Sequence, residues 1–305
     1  MTSVALFIPT LNAVNACGDR YTKNLHTIKQ ANLDQVLIID SSSVDSTVDM
    51  ARGFGFDSVV IAKKDFDHSG TRQLALKMLS HHDIVIYLTQ DALLKDVNSL
   101  ISLIRPLQDN SNIAGVYGRQ FPHDNADIFA KHLREFNYSS ESYIRNYNNR
   151  FIWGMKCVFA SDSFAAYRVD SLLKVGGFPD SLILGEDVYI FARLLQNKYS
   201  VAYAAEAVCY HSHNYSIKDD FNRYFDIGVF HRAENWILQD FGYPSKQGVK
   251  YVISELSYIK YRFWLWPKSI AKLAVKYIGY KLGYNYDLIG AGLCRCFSMN
   301  KSFWW

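Results

Sequence analysis

The sequence lacks the glycine-rich loops that cradle phosphates in the commonest nucleotide-binding folds. No G-x-G-x-x-G follows its first apolar run and no G-x-x-x-x-G-K-[ST] occurs anywhere, so we expect neither a dinucleotide-binding fold nor a P-loop. The G-x-S-x-G of a nucleophile elbow is also missing, which argues against an α/β-hydrolase.

Proline, glycine and long apolar runs are scarce as well. With 6 Pro, 17 Gly and 49% hydrophobic residues in 305, the chain is neither collagenous nor disordered. No run of about 18 apolar residues occurs, so no transmembrane helix is expected. The N-terminus passes directly into an apolar run without basic residues, which predicts a core strand rather than a signal peptide.

The five cysteines are odd in number and scattered, at positions 17, 157, 209, 294 and 296, without a C-x-x-C. This usage predicts reduced thiols in a cytoplasmic protein and argues against a disulfide framework or a zinc module.

Positive charge is concentrated in one segment. From Ser257 to Trp305 there are eight Lys/Arg and one acid, Asp287, so this segment has a net charge of +7. Because the whole chain has a net charge of +4, residues 1–256 have a net charge of −3. The same segment holds 13 of the 46 aromatic residues. The basic character therefore belongs to the C-terminal region and not to the whole chain.

Short apolar runs alternate with helical patterns in the first half. Strands are predicted at 4–8, 36–39, 59–61 and 84–88, and helices at 20–32, 45–53, 70–80 and 96–108. This alternation is typical of β-α-β units with a parallel sheet, which binds ligands beyond the carboxyl ends of its strands. The polar residues expected there are Thr10, Asn12, Asp40, Asp45, Thr89, Gln90 and Asp91.

The second half is less regular. The patterns predict a helix and a mobile loop in 121–152, a strand at 164–167, helices at 170–175, 187–195 and 219–240, and a strand pair in 200–210. The composition changes near 245–257, where the basic aromatic segment begins.

Acidic and histidine positions at predicted element ends are candidate chemical groups. Asp91 follows a strand and is suited to Mg²⁺ or Mn²⁺ beside phosphates, or to capping the next helix. Glu186-Asp187 opens a helix and offers either a general base or a helix cap. His211 and His213 end a strand run, as neutral metal ligands or as surface groups.

A possible phosphate site precedes the predicted helix 70–80. His68, Gly70 and Arg72 combine a helix N-terminus with a guanidinium, which suits an anion. The competing interpretation is that Arg72 belongs to a solvated helix face.

Six short motifs follow one another along the chain. They are Pro9-Thr10-Leu11-Asn12, the stretch from Asp40 to Thr47, the stretch from His68 to Gln73, Thr89-Gln90-Asp91, Gly176-Gly177-Phe178 with Gly185-Glu186-Asp187, and His211. Together they resemble the family 2 glycosyltransferases, most of all the bacterial rhamnosyltransferases of O-antigen and capsular polysaccharide assembly. The resemblance covers about residues 3–230 and implies the GT-A fold, an α/β architecture with a mixed sheet flanked by helices.

The resemblance implies a role for each motif. The donor-binding residues would be Pro9, Thr10, Asn12, Asp40, Asp45, His68, Arg72, Gln90 and Asp91. Of these, Asp40 would accept a hydrogen bond from the base and Arg72 would lie near the diphosphate. A divalent cation, Mg²⁺ or Mn²⁺, would bind Asp91 and His211, with His213 as the fallback. Thr89 replaces the first acid of the family's D-x-D motif, so metal affinity or geometry is expected to differ.

The implied reaction is an inverting displacement with Asp187, in the Glu186-Asp187 motif, as catalytic base. The implied donor is dTDP-β-L-rhamnose, and the implied acceptor is a lipid-linked (polyprenyl diphosphate) oligosaccharide. The unpatterned stretch 119–165 is expected to contact the acceptor through Arg119, Trp153 and Asp162.

Two alternatives stay open at this point. One keeps the fold and uses a UDP-hexose or UDP-N-acetylhexosamine donor. The other is a non-catalytic protein that binds nucleotide sugars or nucleic acid through its basic aromatic tail. The presence of both Asp91 and Asp187 argues against the second alternative, and we expect no nucleic-acid partner.

The predicted organisation is a glycosyltransferase domain at 1–245, with a nucleotide-sugar half at 1–118 and an acceptor half at 119–245. A basic aromatic helical extension follows at 246–305. In it, Lys268, Lys272 and Lys276 share one helical face, which suits the anionic cytoplasmic face of the inner membrane. The alternative is a helical hairpin packed on the catalytic domain or on another subunit, which is compatible with a homodimer.

Overall fold

The structure is a computed structural model that describes residues 2–304, with the side chains at 245 and 246 left out of the description. Its strands are β1 (Val4–Thr10), β2 (Gln35–Asp40), β3 (Asp57–Val60), β4 (Ile84–Leu88), β5 (Leu93–Leu94), β6 (Ile113–Phe121), β7 (Tyr143–Arg145), β8 (Phe164–Arg168) and β9 (Ser200–Tyr210). Its α-helices are α1 (Ala13–Cys17), α2 (Asp19–Gln30), α3 (Thr47–Gly53), α4 (His68–Met78), α5 (Val97–Asp109), α6 (Ile128–Asn137), α7 (Arg150–Trp153), α8 (Val169–Lys174), α9 (Glu186–Gln196), α10 (Ile217–Ala233), α11 (Asn235–Phe241), α12 (Ser245–Tyr258), α13 (Trp266–Tyr284) and α14 (Ala291–Phe297).

The strands form one mixed sheet in the order β3-β2-β1-β4-β8-β6-β9-β5, with β7 paired to β9. Strands β1 to β4 are mutually parallel, as the alternating pattern predicts. Strand β8 runs antiparallel to both β4 and β6. The carboxyl ends of β1, β2, β4, β6 and β9 and the start of β8 therefore meet at one edge of the sheet.

The sheet is covered on both faces, and its strands β1 and β4 are apolar along almost their whole length. Leu6 and Phe7 are both fully buried, yet they belong to different hydrophobic clusters, since successive side chains of a strand point to opposite faces. Ile86 and Tyr87 divide in the same way. A continuous apolar run, rather than an alternating one, is the pattern that such two-sided burial requires.

Several elements of the second half differ from the predictions. Residues 200–210 form the single strand β9 and not a pair, and 219–240 is divided into α10 and α11. The stretch 121–152 contains α6, β7 and the start of α7.

Strand β6 is a further difference, since no strand was predicted there. Its sequence is interrupted by Gly115 and Gly118, which weaken a strand pattern. A Cβ at Gly118 would lie 2.4 Å from the ring of Phe164 and 2.6 Å from the carbonyl oxygen of Ala207. The glycine therefore allows β6 to pack closely at the centre of the sheet.

Helix α13 of the extension packs tightly against α10. A Cβ on Gly283 would lie 1.9 Å from the carbonyl oxygen of Phe225, so the two backbones are in direct contact. Lys272 Nζ lies 2.7 Å from Asp220 Oδ2 and Lys276 Nζ lies 3.7 Å from Asp220 Oδ1, with all three residues buried.

The prediction that Lys268, Lys272 and Lys276 face a membrane is therefore wrong for Lys272 and Lys276. Their ammonium groups reach inward because α10 presents a buried carboxylate that needs a cation. Packing of the extension on the catalytic domain, the alternative above, is the arrangement seen. The boundary at residue 245 stays a prediction. No helix within residues 2–304 has the length and apolar character needed to cross a membrane.

Candidate active site

The loops that follow β1, β2 and β4 are joined by hydrogen bonds at the carboxyl edge of the sheet. Asp40 is fully buried and accepts from Thr10 Oγ1 at 2.8 Å and from the Ser43 amide at 2.7 Å. Gln90 exchanges two hydrogen bonds with the backbone of Leu11, at 2.8 and 3.2 Å. The edge is thus ordered by its own polar groups.

Asn12 and Asp45 complete this edge. Asn12 has a φ of 47° and accepts a hydrogen bond from the Val44 amide at 2.8 Å. Asp45 accepts from the Asn15 amide at 2.9 Å and from the Thr47 amide at the start of α3 at 3.0 Å. Pro9 is half-buried within β1. The structure brings together the residues of the first two predicted donor motifs.

Asp91, His211 and His213 form a cluster with one ligand atom from each within 4.8 Å of the others. His211 Nε2 lies 3.3 Å and His213 Nε2 lies 3.7 Å from Asp91 Oδ2. Strand β9 ends at Tyr210 and Asp91 follows β4, so the sheet edge brings them together. One carboxylate and two imidazoles are a donor set that fits a divalent transition metal.

The protonation of these groups also fits a metal. Burial opposes ionisation of Asp91, but the hydrogen bond and charge of His211 outweigh it and hold the pKa of Asp91 well below its usual range. Burial, reinforced by His211, lowers the pKa of His213 to about 4, so this imidazole is neutral near pH 7. A carboxylate and a neutral imidazole are the forms that bind metal.

Gln120 at the end of β6 orients His211. Its Oε1 lies 2.9 Å from His211 Nδ1, and its Nε2 donates to Ser161 Oγ at 2.8 Å. Because a metal-ligating imidazole usually donates its other N–H to a fixed acceptor, this contact leaves Nε2 free to ligate. Gln120 is not predictable from the sequence, because Gly115 and Gly118 weaken the pattern of the strand that carries it.

Asp187 lies in the first turn of α9, which begins after Gly185 at a φ of 84°. Its Oδ1 accepts from the Val188 amide at 2.8 Å and its Oδ2 from the Asp162 amide at 3.4 Å. The side chain stays partly exposed, whereas Glu186 beside it is buried. Asp187 is therefore held in place and accessible to a substrate hydroxyl.

Arg72 lies behind this carboxylate and is buried. Its Nη1 lies 3.0 Å from Glu186 Oε1, and its Nε lies 3.3 Å from Asp162 Oδ2. Asp162 also accepts from the Tyr167 hydroxyl at 2.5 Å. The guanidinium is thus occupied by carboxylates, and Asp162 presents its backbone amide, not its side chain, to Asp187.

This cluster shifts the acidity of its members. Burial, opposed by Arg72, raises the pKa of Asp162 to about 8. Burial and the charge of Glu186 raise the pKa of Asp187 to about 6. Burial disfavours ionisation of Glu186 too, but Arg72 outweighs it and lowers the pKa of Glu186. A carboxylate with a pKa near 6 is a stronger base than an ordinary aspartate.

The predicted phosphate site at the start of α4 is closed by the protein itself. Asp67 Oδ1 accepts from the Gly70 amide at 2.7 Å, so a carboxylate occupies the position proposed for an anion. His68 is exposed, with its ring edge-on to Phe66. The Gly70 amide and Arg72 are thus engaged within the protein, and contact of His68 and Arg72 with the donor stays a prediction.

The three acceptor candidates each contact a different residue. Arg119 stacks on Phe121 at 4.7 Å, and Trp153 stacks on Tyr143 at 4.9 Å, with both residues partly buried. Asp162 contacts Asp187 through its backbone amide. Contact of these residues with an acceptor stays a prediction.

The sequence profile described as "Glycosyl transferase family 2" matches residues 5–176. The chain is 42% identical over 308 residues to the O-antigen chain rhamnosyltransferase WbaN of Salmonella anatum, covering 100% of this chain and 96% of that protein. It is also 42% identical over 306 residues to the O-antigen chain rhamnosyltransferase RfbN of Salmonella typhimurium, covering 99% and 96%.

The chain belongs to the family 2 glycosyltransferases. The resemblance stated from its motifs is confirmed, and the protein is a glycosyltransferase.

Solved structures show the same fold. The mannosyltransferase PcManGT from Pyrobaculum calidifontis, in complex with GDP-Man and Mn²⁺, aligns with a TM-score of 0.55 at 16% identity, over 99% of this chain and 84% of that one. TarS 1-349 from S. aureus aligns with a TM-score of 0.54 at 14% identity, over 94% and 92%. The predicted GT-A fold, with a mixed sheet flanked by helices, is thereby confirmed for this family 2 member.

Proposed function

We propose that this family 2 glycosyltransferase moves L-rhamnose from dTDP-β-L-rhamnose to a hydroxyl of a lipid-linked oligosaccharide during O-antigen synthesis. The observation that carries the proposal is the 42% identity, over the full chain, to two proteins named as O-antigen chain rhamnosyltransferases. The partly exposed Asp187, held by two backbone amides, supplies the base that such a transfer needs.

In the proposed reaction Asp187 takes the proton of an acceptor hydroxyl while the hydroxyl oxygen attacks the anomeric carbon. The bond from that carbon to the diphosphate breaks, and dTDP leaves with the electron pair. Attack from the face opposite the leaving group turns a β-rhamnosyl donor into an α-rhamnoside. Glu186 raises the pKa of this base and Arg72 lowers it.

A divalent cation would be held by Asp91, His211 and His213, with Gln120 fixing His211. When bound, such an ion neutralises the negative charge of the leaving diphosphate. Two imidazoles favour Mn²⁺ over Mg²⁺, because Mg²⁺ prefers oxygen ligands and near-ideal octahedral geometry. The pair of histidines compensates for Thr89, which offers no carboxylate.

The proposed location is the cytoplasm, at the face of the inner membrane where a polyprenyl-linked acceptor is displayed. In this account the donor is a soluble nucleotide sugar and the acceptor is anchored in lipid. A peripheral enzyme bridges the two without crossing the bilayer.

Calorimetric titration separates the proposed donor from its alternatives. We expect dTDP-rhamnose to bind more tightly than UDP-glucose or UDP-N-acetylglucosamine, and its affinity to fall when Mn²⁺ is omitted or in Asp91→Ala. Asp109→Ala, which removes an exposed carboxylate at the end of α5, is the matched control and should bind as wild type does. Tighter binding of a UDP-sugar would overturn the rhamnose donor while leaving the family intact.

A further inference from the structure

Helix α13 buries two of its four lysines, Lys272 and Lys276, and exposes several of its apolar side chains. The buried positions are Ser269, Lys272, Lys276, Gly279 and Gly283, which recur every three or four residues. Ser269 faces Glu255 of α12, and the other four face α10. The exposed positions on the opposite side are Trp266, Ile270, Ala274, Tyr277 and Ile278. A surface helix of a globular protein normally shows the reverse distribution, so the outward face of α13 is built to meet something apolar.

The turn before α13 exposes further apolar side chains. Tyr261, Phe263 and Trp264 are 82%, 73% and 62% exposed, and the rings of Phe263 and Trp264 contact each other edge-on. Large aromatic side chains in consecutive positions are rarely left in water unless a partner covers them. We call the surface formed by residues 261–278 the aromatic face.

The charges around the aromatic face have one sign. Lys260, Arg262, Lys268 and Lys281 are exposed, and residues 256–286 contain no Asp or Glu. Asp287, the first acid after the face, is paired with Arg232 at 2.6 Å. A second copy of the chain, docked face to face, would bring four cations against four, whereas an anionic surface would attract them.

We propose that the aromatic face is the membrane-docking surface of this enzyme and that its occupant is an anionic phospholipid bilayer. Exposed Trp and Tyr are suited to the headgroup region, where an apolar ring body and a polar edge are both satisfied. The exposed lysines and Arg262 attract anionic headgroups. The buried Lys272 and Lys276 instead form ion pairs with Asp220 that join α13 to α10. This inference rests on the proposed function in one respect: a lipid-linked acceptor gives the enzyme a reason to contact a membrane.

Vesicle co-sedimentation of the full chain tests this surface without donor or acceptor. We expect binding to vesicles of phosphatidylethanolamine, phosphatidylglycerol and cardiolipin, and at least tenfold weaker binding to phosphatidylcholine vesicles. The double variant Phe263→Ser/Trp264→Ser should lose at least tenfold in binding to the anionic vesicles. The double variant Lys260→Gln/Arg262→Gln should bind the anionic vesicles more weakly, and its remaining binding should depend less on salt concentration.

The matched control is Phe151→Ser/Ile152→Ser, because these residues of α7 are also adjacent, apolar and 77% and 87% exposed. It should bind vesicles as wild type does. Equal loss in both double variants, or no wild-type binding to any vesicle, would overturn the proposal. A dimer in sedimentation velocity that Phe263→Ser/Trp264→Ser dissociates would assign the face to a second copy instead.

A sugar-transfer assay in detergent, with a short-chain acceptor, keeps this result apart from the proposed function. Phe263→Ser/Trp264→Ser should retain wild-type activity there, because the aromatic face lies outside the site. Vesicle binding without transfer would leave the docking surface standing and remove the proposed activity.

Discussion

Arg72 Nη1 lies 3.0 Å from Glu186 Oε1, directly behind the proposed base. The same guanidinium faces Asp162, so one buried cation serves two buried carboxylates, while Asp187 stands beside them partly exposed. If all three carboxylates were ionised, the cluster would carry a net negative charge with little water to screen it. Asp162 and Asp187 therefore hold protons more tightly than ordinary aspartates do.

Replacing Arg72 by Met should destabilise the fold by about 3–5 kcal/mol, because removal of one partner leaves buried charge uncompensated. Denaturant unfolding measures this loss. Arg232→Met breaks an exposed pair with Asp287 and should have a much smaller effect. If Arg72→Met instead kept its stability and lost only donor affinity, Arg72 would belong to the diphosphate site.

Asp187→Asn should lower kcat about 10²–10⁴-fold, the usual contribution of a general base, while donor affinity stays unchanged. The base works only when ionised, so kcat/KM in the wild type should rise with pH through about 6 and then level.

The Glu186→Gln variant gives a second test that Asp187 is the base. Removal of the neighbouring negative charge favours ionisation of Asp187, so the acid limb of the pH–rate profile should move to lower pH. A limb that stays in place, or that Asp187→Asn leaves intact, would mean that another group is the base.

The sequence was sufficient to predict the first four strands and the meeting of Asp91 with His211. The polar residues that follow parallel strands lie at the carboxyl edge of the sheet. Their position can therefore be predicted from the strand pattern without knowing the tertiary contacts. The position of Asp187 in the first turn of α9 was predictable because an acid that opens a helix is recognisable locally. Its role as the base stays a prediction.

Other parts depended on tertiary contacts. Strand β6 is hidden by glycines that only the approach of Phe164 explains, and with it Gln120 was missed. Helical spacing placed Lys272 and Lys276 on one face, but only the buried Asp220 determines that this face points inward. Helical spacing likewise placed Arg72 at the start of α4, but only the tertiary fold brings Asp162 and Glu186 beside it.

Gln120→Leu should weaken Mn²⁺ binding about 10–100-fold, because the imidazole of His211 loses the acceptor that fixes its orientation. Electron paramagnetic resonance of free Mn²⁺ during titration measures the affinity directly. Gln35→Leu, which alters a glutamine at the start of β2, is the control and should bind Mn²⁺ as wild type does. Unchanged affinity in Gln120→Leu would argue that His211 is not a ligand.

Gly283→Ala should destabilise the protein by about 1–3 kcal/mol, because the new methyl group would overlap the carbonyl of Phe225 and separate α13 from α10. Gly248→Ala in α12 meets nothing within 4 Å and should be neutral or slightly stabilising. Thermal unfolding compares the two. Equal behaviour of both variants would show that the α10–α13 contact adds little to stability.

NMR of the product formed from dTDP-β-L-rhamnose, Mn²⁺ and a lipid-linked oligosaccharide acceptor tests the proposed rhamnose transfer. We predict a new α-L-rhamnoside with wild type and Asp109→Ala, and none with Asp187→Asn. A β-linked product would contradict inversion at the anomeric carbon. Transfer from a UDP-sugar, with none from dTDP-rhamnose, would contradict the proposed donor.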